Sequence, residues 1–359
     1  MGGKPVYRKR NFSPKIDRPV VYGGIGSLAG GIAFFVLVIL FVSSFMLGRY
    51  PVSLRELYLV FLSRLTAQSC PEVSEMVQSV ILKVRVPRIC SAVFIGGALS
   101  VAGALYQGLF KNPMVSPDIL GASAGAGFGA ALAILLSFSF FAIQFTAFVF
   151  GLVAVTLSYL ICKLVSRGKE SLLVLILSGM VISTLFSSLV AFAKFVADPF
   201  KTLPEITYWL MGGLSSIGVT SAAMTFPLIV VGMIPAMLLR WHINAMAFGD
   251  EEAQSMGLDT GRLRVVFVAS ATLLTTTCVA ISGMIGWVGL VIPHLTRMLT
   301  GPNYKKLIPV SFTVGASFLL CVDNVARTMF SMELPLGILT SLVGAPFFVY
   351  LLFKRRRAG

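Results

Sequence analysis

The sequence predicts an all-α polytopic membrane protein with about ten transmembrane helices per subunit and with both termini in the cytoplasm. Hydrophobic residues make up 57% of the 359 residues and the mean hydropathy is +0.90, which excludes a soluble domain with a polar surface. Apolar runs long enough to cross a bilayer alternate with short polar segments. Lysine and arginine number 29 against 14 acidic residues and concentrate in the tails and in alternate loops. That distribution follows the positive-inside rule and sets the orientation.

The charge pattern also bounds the domains. The net charge of +15 does not indicate a nucleic-acid partner, because the basic residues lie between apolar runs. We predict a basic cytoplasmic tail over residues 1–20, one transmembrane domain over 21–354 and a second basic tail over 355–359. A signal peptide is the competing interpretation of the N-terminus, but the first apolar run is too long and no A-x-A site follows it. The predicted spans are approximately 21–47, 85–110, 119–140, 144–165, 171–197, 223–241, 263–284, 287–299, 307–329 and 337–353.

The longest polar interruption in the apolar second half is Ala245–Arg264. Asp250 is a candidate N-cap there, with Glu251 and Glu252 in a first turn where the helix dipole favours negative charge. Gly257 is a candidate C′ residue, so the pattern predicts a helix of about two turns. Asp259 or Thr260 can cap the next apolar segment. The arrangement favours a helix that a partner touches, and the alternative is an ordinary solvated loop helix.

Rows of small residues four apart occur in three predicted spans and permit close approach of helix backbones. We expect plain helix packing for the row in the third span. In the fifth span, the added hydroxyl groups favour a pathway lining or a subunit seam, and plain helix packing stays as the alternative. The rows are Gly121, Gly125 and Gly129; Gly179, Ser183 and Ser187, beside Ser178; and Gly337, Ser341 and Ala345.

Ionisable residues and catalytic motifs are scarce. Asp323 and Arg327, four apart in the ninth predicted span, can form a structural pair or mark a functional site. The five cysteines show no C-x-x-C spacing and the two histidines are far apart, so we predict no metal site. Without a G-x-x-x-x-G-K-[ST] motif or a hydrolase motif, the chain is expected not to be an enzyme. Few acidic residues within spans argue against an ion-coupled secondary carrier, which stays as an alternative of another class.

Five segments carry a family resemblance, from about residue 84 to the C-terminus. They are VRVPRICSAVFIGGALSVAGALYQGLFKNPMVSPDILGASAGAGFGA, ITYWLMGGLSS, AFGDEEAQSMGLDTGRLR, ISGMIGWVGLVIPHLTRMLTGPNYKKLIPVSF and VDNVARTMFSMELPLGILTSLVGAPFFVYLLFKRR. Together they resemble the permease subunit of type II ABC importers, which take up iron–siderophores, haem and cobalamin. The first 80 residues match only in having one span and an outside loop.

The resemblance implies partners as well as a fold. It implies a multi-pass permease domain in the inner (cytoplasmic) membrane, in contact with membrane lipid, and a homodimer around a central pathway. It further implies two ATP-binding cassette ATPase subunits on the cytoplasmic side and a solute-binding protein outside. ATP and Mg²⁺ would then belong to the ATPase partner, and the chain itself would hold no cofactor.

The resemblance also assigns candidate site residues. The segment 245–262 resembles the coupling helix that docks on the ATPase, and there Gln254 and Ser255 stand where Ala and Arg are more usual in the family. Arg85, Arg88 and Arg327 match outside-facing arginines that receive acidic side chains of the binding protein, and for the first two the alternative is interfacial anchoring. The coupling candidates are Asp250, Glu251, Glu252, Gln254, Ser255, Met256 and Gly257. The gate and pathway candidates are Asn112, Ser171, Ser178, Ser183, Ser187, Gly337 and Ser341.

The cargo expected from the resemblance is an iron(III)–siderophore, with haem and cobalamin as alternatives. Nothing in the apolar spans distinguishes among them, because the external binding protein does most of the selection.

Overall fold

The computed structural model describes residues 25–48, 50–66, 72–166, 172–329 and 332–358. Within these ranges the chain is helical and contains no strand, which confirms the predicted fold class. A π-helical segment, Val80–Arg85, precedes α4, and a 3-10 helix, Pro117–Leu120, precedes α5. The α-helices are α1 Ile25–Met46, α2 Leu54–Thr66, α3 Glu75–Ser79, α4 Val86–Leu109, α5 Ala122–Leu135, α6 Phe140–Val165, α7 Leu172–Val196, α8 Thr202–Met211, α9 Val219–Leu238, α10 Arg240–Phe248, α11 Asp250–Ser255, α12 Thr260–Ser282, α13 Val288–Thr300, α14 Tyr304–Thr328 and α15 Leu336–Ala358.

Seven of the described helices are long and apolar enough to cross a membrane. They are α1, the continuous helix Glu75–Leu109 that ends in α4, and α6, α7, α9, α12 and α14. The other three predicted spans correspond to shorter elements. These are α5 with 14 residues, α13 with 13 residues, and the apolar part of α15 over Leu336–Tyr350. Ten crossings and the cytoplasmic placement of both termini therefore remain predictions.

The second span begins earlier than predicted. The sequence indicates an outside loop up to residue 82 and a helix from Arg85, whereas the structure starts a helix at Glu75. Ser74 caps it, because its side chain accepts a hydrogen bond from the Val77 N–H at 3.4 Å. A further helix, α2, forms within the same predicted loop.

The helices form a buried centre and an outer ring. In the apolar stretch of the helix containing α4, 83% of the residues are buried, compared with 78% in α12 and 61% in α14. In α1, α6, α7 and α9 the buried share is only 11–28%. An apolar outer surface of this kind suits contact with lipid tails or with other membrane-embedded helices.

Glycines let neighbouring helices approach closely. A Cβ atom at Gly103 of α4 would lie 1.7 Å from the carbonyl oxygen of Gly289 in α13. A Cβ atom at Gly125 of α5 would lie 2.5 Å from the Phe150 carbonyl oxygen, and one at Gly129 would lie 2.5 Å from that of Thr146. The small-residue row of the third predicted span therefore packs α5 on α6, as expected.

Candidate functional site

The predicted short helix in the polar stretch exists as α11, and Gly257 ends it. The Gly257 backbone has φ of 81°, which glycine adopts at little cost. Its N–H donates to the Gln254 carbonyl at 2.9 Å, while the Leu258 N–H donates to the Ala253 carbonyl at 3.1 Å. This hydrogen-bond pair is a Schellman motif, so the predicted C′ position of Gly257 is confirmed.

The start of α11 differs from the prediction. Asp250 was expected as the N-cap, but Gly249 occupies that position and Asp250 is the first helical residue. The Asp250 carboxylate instead accepts a hydrogen bond from Arg264 Nη2 at 2.7 Å and lies 4.0 Å from Lys111 Nζ. The carboxylate is engaged by the buried Arg264 guanidinium through a charge-assisted bond, and Gly249 takes the capping position instead. Asp250 thus joins α11 to α12 and to the turn after α4.

Asp259 caps the following helix. Its carboxylate accepts a hydrogen bond from the Arg262 N–H at 3.0 Å, which confirms one of the two predicted caps of α12. The other candidate, Thr260, is buried, and its hydroxyl oxygen accepts a hydrogen bond from Gln254 Nε2 at 3.0 Å. Both ends of α11 are therefore fixed by side chains from α12.

The outer surface of α11 is acidic with apolar neighbours. Glu251, Glu252, Gln254, Ser255, Met256 and Gly257 are exposed, whereas Ala253 is buried and holds the helix down. Phe248, which the sequence analysis did not select, is 77% exposed directly before α11. Two carboxylates flanked by exposed Phe248 and Met256 form a surface suited to a protein partner.

A second polar contact fixes α10, the helix that directly precedes α11. The Asn244 side-chain oxygen accepts a hydrogen bond from the Tyr304 N–H at 2.9 Å, and its amide donates to Asn303 Oδ1 at 3.1 Å. Sequence reasoning missed this pairing because the two segments are about 60 residues apart. It ties α10 to the start of α14.

Near the start of α4, at the end away from α11, Arg88 is buried in a charged cluster. Its Nε and Nη2 atoms each donate to Asp323 Oδ1, at 3.0 and 2.9 Å. Its Nη1 donates to both Glu333 carboxylate oxygens at 3.0 Å. The Asp323 side chain is fully buried, whereas that of Glu333 is 28% exposed. Arg88 therefore links α14 to the segment that precedes α15.

Arg327 and Arg85 complete this cluster. Arg327 Nε lies 3.5 Å from Asp323 Oδ2, so the pair predicted on one helix face is present, and its Nη2 donates to the Ser44 carbonyl of α1 at 2.7 Å. Arg85 donates to the carbonyls of Phe45 and Tyr50. All three arginines are at most 7% exposed. Docking of a partner's acidic groups on them stays a prediction, and it requires that these internal bonds be exchanged.

The pathway candidates of the fifth predicted span lie on α7 and serve mainly local packing. Ser178 is buried and donates to the Val174 carbonyl at 2.8 Å, and Ser183 is half-buried beside Gly121. A Cβ atom at Gly179 would lie 2.2 Å from the Ile119 carbonyl oxygen. Ser187 is the candidate on α7 whose side chain is exposed.

The candidates of the tenth span lie on α15. A Cβ atom at Gly337 would lie 2.4 Å from the Met211 carbonyl oxygen, and Ser341 donates to the Gly337 carbonyl at 2.6 Å. Whereas α7 packs on α5, α6 and the 3-10 helix, α15 packs on α8, α13 and α14. The two sets of pathway candidates are thus held by different neighbours within one chain.

The two gate candidates differ in what the structure describes. Asn112 is exposed in the turn after α4, where its side-chain oxygen accepts a hydrogen bond from the Met114 N–H at 3.0 Å. Ser171 lies outside the described residues. Among the described residues, no three His, Cys, Asp or Glu side chains are grouped so that they could hold a metal ion.

The profile of the FecCD transport family matches residues 36–354. The chain belongs to the FecCD transport family. This assignment confirms the resemblance inferred from the sequence motifs. It identifies the chain as a permease of an ABC importer and, with its apolar helices, as an integral protein of the inner membrane.

Named relatives of this FecCD protein have several cargoes. The molybdate import system permease protein of Haemophilus influenzae is 38% identical over 90% of this chain and 95% of its own length. A probable iron chelatin transport permease of Helicobacter pylori is 40% identical over 77% of this chain and 83% of its own. The hemin transport permease of Yersinia pestis is 32% identical over 91% and 95%.

A solved structure has the same fold as this FecCD chain. It is described as an inward-facing conformation of an ABC transporter of the metal-chelate type and is 37% identical. The match has a TM-score of 0.80 and covers 91% of this chain and 99% of that one.

Proposed function

We propose that two copies of this FecCD permease form a homodimer around a central pathway and move a metal compound from an external binding protein into the cytoplasm. ATP hydrolysis by two separate ATPase subunits drives the movement. The observation that carries the proposal is the exposed acidic surface of α11, because its position is fixed at both ends while its outer side chains are left at the surface.

A helix transmits force only when it cannot move independently of the helices behind it. The Asp250–Arg264 ion pair, the Asp259 cap and the Schellman motif restrain α11 relative to α12. An ATPase that holds Glu251, Glu252 and Met256 would therefore move α12 together with α11. Since α12 is one of the buried central helices, that displacement reaches the middle of the membrane.

The homodimer is supported by the exposed face of α7. Ser187 and Ser188 are exposed there among large apolar side chains. Small hydroxyl side chains favour helix–helix contact in a bilayer, where lipid offers them no partner. A second copy placed against α7 would cover this face and would enclose the pathway between the subunits.

The external binding protein is proposed to contact the outer end of α4, where Arg85, Arg88 and Arg327 lie. Of their acidic partners, Glu333 is the more accessible, so a carboxylate of the binding protein would exchange with it at Arg88 more readily than with buried Asp323. That exchange would release the segment that leads into α15.

For the cargo, we propose an iron(III)–siderophore, in keeping with the iron chelatin relative. Molybdate is the second candidate, because the molybdate relative matches over 95% of its own length. Haem and cobalamin stay as alternatives through the hemin relative and a cobalamin import permease of Halobacterium salinarum, which is 36% identical over 79% of this chain.

The proposal is tested by uptake into proteoliposomes that contain this chain and its ATPase, with the binding protein outside. We expect ATP-dependent uptake of radiolabelled ferric siderophore, and no uptake with an ATPase that lacks its phosphate-binding lysine. Molybdate, haemin and cobalamin are supplied in parallel, and uptake of one of these alone would replace the iron proposal. Uptake driven by an ion gradient without the ATPase would contradict the importer mechanism.

A further inference from the structure

A wholly apolar groove lies on the outer surface between α9, α4 and α14. Its volume is about 390 Å³, and its lining includes Phe94, Ile229, Met233, Ile234, Leu238 and Phe312. From Ile229 to Leu238 it follows α9 for about 14 Å at 1.5 Å per residue. The Phe94 ring, 4.5 Å from Phe226 and 6.3 Å from Phe312, narrows the far end. The groove is thus elongated along α9 and ends at Leu238.

Two basic residues lie close in the chain to residues that line the groove. Arg240 follows Leu238 by two residues and begins α10. It is four residues before Asn244, so it shares the face of α10 that is bonded to Asn303 and Tyr304. Lys305 is exposed next to Tyr304 and is seven residues, or about two turns, before Phe312 on the same face of α14. This spacing places both cations near the Leu238 end of the groove, which we call its mouth.

We propose that the groove and its basic mouth form a binding site for an anionic phospholipid. One acyl chain occupies the groove, and Arg240 and Lys305 hold the negatively charged headgroup. Basic pockets beside transmembrane helices recognise anionic headgroups in this way. Trp241, 46% exposed beside Arg240, suits the depth at which headgroups meet acyl chains. Through α10, a lipid held here braces the helix that leads into α11.

The occupant is a lipid because of where the groove lies. Only 17% of the apolar stretch of α9 is buried within the chain, so most of this helix is available to lipid. A zwitterionic lipid also fills an apolar groove, but its headgroup gains less from two cations that face it. The site therefore selects by headgroup charge.

The test is native mass spectrometry of the purified, delipidated chain in detergent, titrated with phosphatidylglycerol or with phosphatidylcholine of the same acyl chains. We expect preferential retention of phosphatidylglycerol. Arg240→Gln and Lys305→Gln should each weaken its binding about fivefold, the effect of one basic residue near an anionic lipid. Lys163→Gln removes an exposed charge from the end of α6, away from the groove, and should leave binding unchanged.

A second pair of variants tests the position of the acyl chain. Ile234→Trp blocks the groove and should weaken binding of both lipids, whereas Val231→Trp on the same helix, with similar exposure but outside the lining, should not. Thermal melting in lipid-free detergent identifies any variant that fails to fold. Equal retention of the two lipids, an equal loss in Lys163→Gln, or unchanged binding in Ile234→Trp would each overturn the proposal.

Discussion

At the scale of single residues, Arg88 has the most consequential surroundings. It holds a fully buried carboxylate on α14 and a partly exposed one ahead of α15. Removing one partner of a buried ion pair leaves the other charge without compensation, which costs far more than loss of a surface pair. The chain contains both kinds of pair, since Arg55 and Glu72 lie 3.2 Å apart with side chains 81% and 61% exposed.

Arg88→Met is expected to lower the free energy of unfolding by about 3 kcal/mol, because Asp323 then keeps only Arg327 as a cationic partner. Arg55→Met, the matched surface control, should cost less than about 1 kcal/mol. Unfolding in mixed detergent and dodecyl sulfate micelles measures both. Adding Asp323→Asn to Arg88→Met should restore part of the loss. An equal loss of unfolding free energy in the two arginine variants would show that burial does not determine how much this cluster stabilises the fold.

At the scale of elements, α11 is a short helix whose stability comes from its ends. The helix comprises only Asp250–Ser255, about one and a half turns, which is far below the length at which an isolated helix is stable in water. The Asp250–Arg264 pair and the Schellman motif supply what length does not. The exposed carboxylates of Glu251 and Glu252 lie outside these contacts and are available to a partner. The helix is held in place by Arg264 of α12 and by the turn at Gly257.

The double substitution Glu251→Lys and Glu252→Lys is expected to lower ATP-dependent uptake about tenfold or more, because reversed charges repel a partner surface that is complementary to carboxylates. Uptake and ATPase activity are measured together in proteoliposomes, and co-purification of the ATPase reports the contact itself. Glu75→Lys is the control, since Glu75 is an exposed acid in the first turn of α3, which starts the helix Glu75–Leu109 and is separate from α11. Normal uptake in the double variant would rule out α11 as the ATPase contact.

At the scale of the whole molecule, the buried helices α4, α12 and α14 connect the arginine cluster to the acidic surface of α11. The arginine cluster lies at one end of the α4 helix, and Lys111 near Asp250 lies at the other. The continuous helix Glu75–Leu109 has 35 residues, so at 1.5 Å per residue it is about 52 Å long and exceeds the bilayer core of about 30 Å. We therefore expect its two ends to reach opposite sides of the membrane.

Orientation is tested at those two ends. In a cysteine-free background, Glu75→Cys should react with a membrane-impermeant maleimide in right-side-out vesicles, and Met114→Cys should react only after permeabilisation. Both positions are exposed in the structure. The expectation follows from the concentration of lysine and arginine in the predicted cytoplasmic segments. The reverse labelling pattern would invert the map and would place α11 outside.

Hydropathy, glycine conformation and long motifs are local properties, so they sufficed to predict the helical membrane class, the position of α11, its end at Gly257 and the family. Helix packing set the rest: Asp250 pairs with Arg264 and Lys111 instead of capping, the three arginines are buried against Asp323, Glu333 and backbone carbonyls, and Asn244 binds the start of α14. These contacts join segments distant in sequence. Their partners are selected by helix packing, which no local pattern records.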